Sequence, residues 1–193
     1  MQEGFVLWFT GLSASGKTTL AKAIEQELRK RGVQYVQRLD GDVVRQDLTR
    51  DLGFSKEDRD ENIRRITFVA ELLSNNGVAT MCSFISPYRA ARADARERCP
   101  DFIEVYTQCS LEVLIERDPK GLYKKALAGE ITGFTGVDDP YEAPESPEIT
   151  VHTDRETVEE STAIILRYLE QKRLIPLACP GPEISQETAR RER

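Results

Sequence analysis

Residues 11–18 read Gly-Leu-Ser-Ala-Ser-Gly-Lys-Thr, and their types and spacing suit them to hold a chain of phosphates. They satisfy G-x-x-x-x-G-K-[ST] immediately after a short apolar run, Phe5–Thr10, and immediately before a helical pattern, which is the strand-loop-helix context this motif requires. Gly11 and Gly16 let the backbone fold back, so that successive N–H groups and the helix N-terminus converge on an anion. Lys17 is placed to bridge terminal phosphates and the Thr18 hydroxyl to hold Mg²⁺. With Leu12, Ser13, Ala14, Ser15 and Thr19 they form a candidate nucleoside triphosphate cradle.

Nucleotide binding alone leaves a switch and an enzyme in competition. A guanine-reading N-K-x-D is missing, because Asn62, Asn75 and Asn76 are followed by Ile63, Asn76 and Gly77. A small-molecule kinase needs a second anionic pocket, an acid for the acceptor hydroxyl and a lid that excludes water. Asp40-Gly41-Asp42, followed by Arg45, ends a candidate second strand, where a parallel sheet faces its ligand. Both carboxylates can turn toward the phosphate loop, one to orient magnesium waters and one to accept or align the acceptor proton. A solvated Asp-Gly-Asp turn is the plain alternative.

Nine of the 19 arginines fall between Arg45 and Arg98, where Lys56 is the only lysine. Guanidinium suits forked contacts to phosphate or sulfate. At 100° per residue, Arg59, Asn62, Ile63 and Ile66 share about 100° of arc on an apolar stripe. An arginine there must meet an anion, either a ligand or, as the competing explanation, Asp40 or Asp42. Ser86 reads as an N-cap with Pro87 at the first helical position, close enough to the crevice to touch ligand. Phe84 reads as core, whereas Phe54 and Phe134, in glycine-containing loops, are placed to stack on a base.

The elements that must position these residues alternate. Strand-like runs at 5–10, 33–39, 78–84, 102–107 and 149–153 are separated by helical patterns. One stripe is Leu20, Ala23, Ile24 and Leu28, stopped by Gly32; a second, behind a Ser55–Asp58 capping box, is Ile63, Ile66, Ala70 and Leu73. Further helices open at Ser86-Pro87 and Ser110, and Val158, Thr162, Ile165 and Leu169 mark a closing helix. The class is α/β, a five-stranded parallel sheet flanked by helices, of the P-loop NTPase or nucleotide-kinase-like kind. Residues 1–175 form the single expected domain. Residues 117–148, with four glycines before 137 and three prolines after it, are expected as an irregular lid and substrate loop, and 176–193 as an unstructured tail.

Composition bounds the rest. The 193 residues carry 27 basic and 33 acidic side chains, a net charge of −6, which argues against binding nucleic acid or an anionic membrane. No apolar stretch approaches the ~20 residues of a membrane span, and the N-terminus lacks a secretory pattern, so the expected location is the cytoplasm. Cys82, Cys99, Cys109 and Cys179 fit no metal spacing and read as free thiols, and the single histidine, His152, reads as a strand-end residue rather than a triad member.

Taken together, the phosphate loop, Leu-Asp-Gly-Asp-Val-Val-Arg at 39–45, residues 52–66, Ser-Phe-Ile-Ser-Pro-Tyr-Arg at 83–89, Arg-Asp-Pro-Lys-Gly-Leu-Tyr-Lys-Lys-Ala at 117–126 and Gly-Phe-Thr-Gly-Val-Asp-Asp-Pro-Tyr-Glu at 133–142 resemble the adenylylsulfate kinase (APS kinase) family from about Gly4 to Leu169. The resemblance implies ATP- and Mg²⁺-dependent transfer of the γ-phosphoryl group to the ribose 3′-hydroxyl of adenosine 5′-phosphosulfate, giving 3′-phosphoadenosine 5′-phosphosulfate (PAPS) in sulfate assimilation. It implies Lys17, Asp42 and Ser86 as catalytic, Thr18 and Asp40 on the metal, and Asp40, Asp42, Arg45, Phe54, Arg59, Asn62, Ile85, Ser86, Lys120, Gly133 and Phe134 around the phosphosulfate nucleotide. The family serine matching Ser86 has been proposed as a phosphoenzyme, but two nucleotides held together favour direct in-line transfer.

Three residues depart from the family pattern: Ala14 stands where glycine is usual, Thr18 replaces serine and Val43 replaces asparagine. A homodimer, or fusion to or association with ATP sulfurylase, is the expected assembly. The alternatives are another kinase of this fold, acting on a nucleoside monophosphate or sugar acid, and a non-catalytic nucleotide-sensing domain of a sulfurylase.

Overall fold

The structure is a computed structural model that describes residues 2–177. Five parallel strands, β1 (Phe5–Thr10), β2 (Val36–Asp40), β3 (Ala79–Ser83), β4 (Phe102–Gln108) and β5 (Ile149–His152), lie in the order β2-β3-β1-β4-β5. The central strand β1 is buried throughout, as a strand covered on both faces must be. Its alternate residues divide the core. Phe5, Leu7 and Phe9 join Leu20, Ile24, Leu28, Ile165 and Leu169 from α1 (Lys17–Lys30) and the closing helix Val158–Gln171. Val6 and Trp8 join Ile63, Ile66 and Ala70 of the helix Lys56–Asn75, and Ala95 of Arg89–Arg98. The expected five-stranded parallel sheet with helices on both faces is therefore present.

In chain order, the remaining helices are α2 (Gly41–Val44), α3 (Lys56–Asn75), α4 (Arg89–Arg98), α5 (Leu111–Arg117), α6 (Leu122–Leu127) and α7 (Val158–Gln171). Most expectations for their starts hold. Ser55 accepts from Asp58 N at 3.1 Å, and Ser110 occupies the N-cap of α5, though its side chain makes no capping bond. The expected Ser55–Asp58 capping box is only half formed, since the Asp58 side chain does not accept from Ser55 N in return; the closing helix has the reciprocal box, Thr157 with Glu160.

Several readings need correction. The second strand starts at Val36 rather than at 33, because α1 ends in a turn in which Gly32 has φ +81° and Val33 N donates back to Leu28 O at 3.0 Å. Val158 is exposed, and its place on the buried face is taken by Ser161 and Leu166. Ser86 is not an N-cap: α4 begins at Arg89, whose N–H donates to Glu142 Oε2 at 2.7 Å, so a carboxylate from another segment supplies the cap. Residues 117–148 are not wholly irregular, since α6 lies inside them and buries Tyr123 completely. Cys82 and Cys99 are buried free thiols and Cys109 a half-buried one; Cys179 and all of the expected tail past Leu177 lie outside the described residues. Among the described residues no helix is long and apolar enough to cross a membrane.

Candidate active site

The carboxyl ends of β1, β2 and β3 meet the N-terminus of α1, and the phosphate loop wraps this junction. Gly11 (φ +148°) has no room for a side chain, because a β-carbon there would lie 2.4 Å from Thr107 Oγ1. Gly16 (φ +90°) caps α1 without any side-chain bond, which leaves the first-turn amides available to an anion. The loop is braced from three elements. Ser15 Oγ donates to Thr107 Oγ1 at 2.7 Å, Thr107 in turn donates to Thr10 O at 2.9 Å, and Thr153 Oγ1 donates to Ser15 O at 3.0 Å. From α6, Tyr123 Oη donates to Ser13 O at 3.1 Å. Ala14 sits at φ +61°, a left-handed conformation that strains a residue with a β-carbon.

Lys17 is buried, and its ammonium donates to Gly11 O at 2.9 Å and Leu12 O at 2.7 Å. Burial pushes its pKa down to about 7; Asp40 raises it, Lys120 lowers it and Asp42 raises it. These groups therefore share one electrostatic environment with the phosphate-loop lysine. The two carboxylates of the Asp-Gly-Asp turn divide their tasks. Asp40 is buried; Oδ2 accepts from Thr18 Oγ1 at 2.7 Å, while Oδ1 caps α2 by accepting from Asp42 N at 3.0 Å. Asp42 is exposed and pairs with Lys120 from the segment between α5 and α6. The expectation that both carboxylates turn to the phosphate loop thus holds for Asp40 alone, because α2 turns Asp42 toward Lys120.

Arg59 is buried as expected, but it pairs with neither Asp40 nor Asp42. Its Nε donates to Phe54 O at 2.8 Å, Nη1 to Thr135 Oγ1 and Nη2 to Gly133 O, and Asp139 Oδ2 lies 3.6 Å from Nη1. Its anion comes from a loop with no periodic signal. Asn62, one turn along α3, is also buried, and its Oδ1 has no partner among the described residues. Arg45 lies 4.4 Å over the exposed Phe54 ring and donates to Leu52 O and Gly53 O, each at 3.3 Å. Phe134 packs edge-on to Tyr123 at 5.0 Å. Its loop is shaped by Asp138, whose carboxylate accepts from Gly133 N at 2.7 Å and Phe134 N at 2.6 Å; these bonds hold its pKa below the ordinary range. The loop also abuts the phosphate loop, since a β-carbon on Gly136 would fall 2.7 Å from Leu12 Cδ2.

Half-buried Ile85 and buried Ser86 line the turn after β3. Ser86 (φ +42°) accepts from Trp8 Nε1 at 2.9 Å and donates to Phe84 O at 3.3 Å. Sequence reasoning missed Trp8, Thr10, Thr107, Tyr123, Thr135 and Asp138. The strand-end positions of Thr10 and Thr107 could have marked those two, and Tyr123, Thr135 and Asp138 lie in segments that carry the family resemblance without having been given a role. His152 ends β5 in register with Gln108, as expected of a strand-end residue.

The sequence profile described as Adenylylsulphate kinase matches residues 3–152, most of the described chain. The chain belongs to the adenylyl-sulfate kinase family. The kinase is 61% identical over 176 residues to the adenylyl-sulfate kinase of Halothermothrix orenii, covering 91% of this chain and 95% of the relative. It is 59% identical over 174 residues to a probable bifunctional SAT/APS kinase 2 of Sorangium cellulosum, covering 90% of this chain and 30% of that protein. Its fold matches the Mycobacterium tuberculosis APS kinase CysC, solved in complex with AMPPNP and APS, with a TM-score of 0.84 at 42% identity over 88% of this chain and 99% of that one. As a member of this family it is an ATP-dependent kinase, and the crevice described above is its candidate active site.

Two measurements follow. A phosphate chain against Lys17 favours the ammonium, whereas burial in the free kinase favours the amine at pH 8. ADP binding at pH 8 should therefore take up close to one proton, weaken as pH rises from 7 to 9, and lose the uptake in Lys17→Gln; calorimetry in buffers of different ionisation enthalpy reads this. Ala14→Gly should relieve the left-handed strain and raise stability by about 1 kcal/mol in urea unfolding.

Proposed function

We propose that this chain transfers the γ-phosphoryl group of ATP to the ribose 3′-hydroxyl of adenosine 5′-phosphosulfate, giving 3′-phosphoadenosine 5′-phosphosulfate and ADP. The observation that carries the reading is the Asp42–Lys120 pair, which joins the acceptor side to the lid within electrostatic reach of Lys17. Around it, two cation-lined regions share one sheet edge: the phosphate loop with Lys17, and the surface of Arg45, Arg59 and Lys120.

In this reading the amides of residues 11–19 take the ATP phosphates, and Lys17 exchanges its loop carbonyls for the transferring group. Asp42 aligns the acceptor hydroxyl and accepts its proton as the 3′-oxygen forms its bond to γ-phosphorus and the bond to the β-bridging oxygen breaks. Arg59 holds the loop of Gly133 and Phe134 over the acceptor. The open Asn62 Oδ1 accepts from the second nucleotide, and Phe54 and Phe134 face its base. Ile85 and Ser86 form the wall beneath, the Ser86 hydroxyl being engaged by Trp8, which supports in-line transfer over a phosphoserine.

The Thr18 hydroxyl and Asp40 carboxylate, 2.7 Å apart, are an all-oxygen pair that fits magnesium. No group of three or more His, Cys, Asp or Glu is gathered among the described residues, which suits an ion that takes one or two protein oxygens and completes its shell with phosphates and water. When bound there, Mg²⁺ would neutralise charge building on the β- and γ-phosphates. Residues 117–148 act as the lid. A cytoplasmic enzyme with free thiols, assembled as a homodimer or with an ATP sulfurylase, completes the reading.

A coupled ADP-release assay should show turnover with adenosine phosphosulfate and none with AMP or gluconate; turnover of either of the latter would redirect the assignment. Asp42→Ala should lower kcat by ~10² or more with ATP affinity little changed. Arg59→Ala should chiefly raise KM for adenosine phosphosulfate, and the opposite pattern would reverse the two roles.

A further inference from the structure

The turn after β3 and the segment that returns from the lid meet at one buried guanidinium. Arg92, on α4, is 3% exposed. Its Nε donates to Glu104 Oε1 at 2.7 Å, Nη1 to Ser86 O at 2.6 Å and Nη2 to Glu142 O at 2.7 Å. Glu104, on β4, supplies the opposite charge, and Arg96 Nη2 approaches its other oxygen at 3.3 Å. A second set of bonds links the same segments. Glu142 N donates to Pro87 O at 2.8 Å, and Tyr141, its ring 5.9 Å from the Arg92 guanidinium, bonds Thr10 Oγ1 at 3.0 Å, while Thr10 donates to Ile85 O at 2.7 Å.

Bidentate pairing with Glu104 could have engaged an Nη nitrogen together with Nε, yet Glu104 takes Nε alone. Instead, two guanidinium nitrogens go to main-chain oxygens on two separate segments. One is the Ile85–Ser86 turn, where Ser86 has φ +42°, a conformation that a serine keeps only where its surroundings impose it. The other is the end of the loop that carries Gly133 and Phe134. Neither carbonyl belongs to the phosphate loop, which has its own braces in Thr107, Thr153 and Tyr123.

We infer that Arg92 is a positioning residue for the phosphosulfate side of the active site: it clamps the Ser86 turn to the returning lid segment, so that the two walls of the acceptor pocket keep one spacing. The inference rests on the reading of Ile85, Ser86, Gly133 and Phe134 as acceptor-side residues. The planar fork is essential, because a lysine retains the charge opposite Glu104 but has one nitrogen, which cannot stand at the three positions from which Nε, Nη1 and Nη2 reach Glu104 and carbonyls on two separate segments.

The test is steady-state kinetics of Arg92→Lys with each substrate varied in turn, alongside ADP binding by calorimetry. KM for adenosine phosphosulfate should rise about tenfold or more, with KM for ATP and Kd for ADP within about twofold. The double variant Arg92→Gln with Glu104→Gln removes both charges together, leaves no lone buried ion, and should show the same split. The inference falls if both KM values move together, if neither moves, or if both variants lose ADP binding, which would make Arg92 a folding residue. Wild-type turnover of adenosine phosphosulfate separates the two readings: its absence overturns the proposed function, whereas its presence with no split in the variants overturns only the role of Arg92.

Discussion

Burying a cation without solvating it costs several kcal/mol, and a crevice that must hold two polyanions has to bury several. This chain meets the constraint with main-chain carbonyls more than with carboxylates. Buried Lys17 lies on Gly11 O and Leu12 O, buried Arg59 on Phe54 O and Gly133 O, buried Arg92 on Ser86 O and Glu142 O, and half-buried Arg45 on Leu52 O and Gly53 O. A carbonyl dipole stabilises a guanidinium without cancelling its charge, so these arginines keep their positive charge inside a protein of net charge −6. Carboxylates approach these cations where a segment must be tied down, as Asp139 does near Arg59 and Glu104 at Arg92.

The same contacts order the chain around the crevice. A loop whose carbonyls solvate a buried cation cannot drift without exposing that cation to an unfavourable environment. This is why residues 133–142, poor in regular hydrogen bonding, are nevertheless folded into a defined turn against α3 and α4. Asp138 closes the turn on itself through two amides, Gly136 leaves room for Leu12 of the phosphate loop, and Tyr123 buries its ring while its hydroxyl reaches Ser13 O. The phosphate loop is thus in physical contact with both α6 and the 133–142 loop.

Much of this was legible in the sequence because it is local. The phosphate loop is a contiguous motif, the five strands are short apolar runs of β-branched and aromatic residues, and the burial of Arg59 and Asn62 follows from helical phase alone. Errors came where a distant group replaced a local signal. Ser86 and Pro87 look like a helix start, yet Glu142 supplies the cap and Trp8 takes the serine hydroxyl. Asp42 seemed free to face the phosphate loop until a four-residue helix turned it toward Lys120. Residues 122–127 lie in a stretch marked by basic residues and glycines, and a single buried residue, Tyr123, anchors the turn of helix they form.

By itself the sequence determined the α/β class, the strand-loop-helix around residues 11–18 and the identity of most groups at the sheet edge, because period, spacing and residue type act over a few neighbouring positions. Only the tertiary structure decided which partner each of those groups has: Asp139 rather than Asp40 near Arg59, Lys120 at Asp42, two carbonyls from separate segments at Arg92. Pairing across long sequence separations depends on how the strands order and the loops return, and no local pattern encodes that. The strained Ser86 and Ala14 conformations belong to the same class, since each is imposed by contacts from elsewhere in the fold.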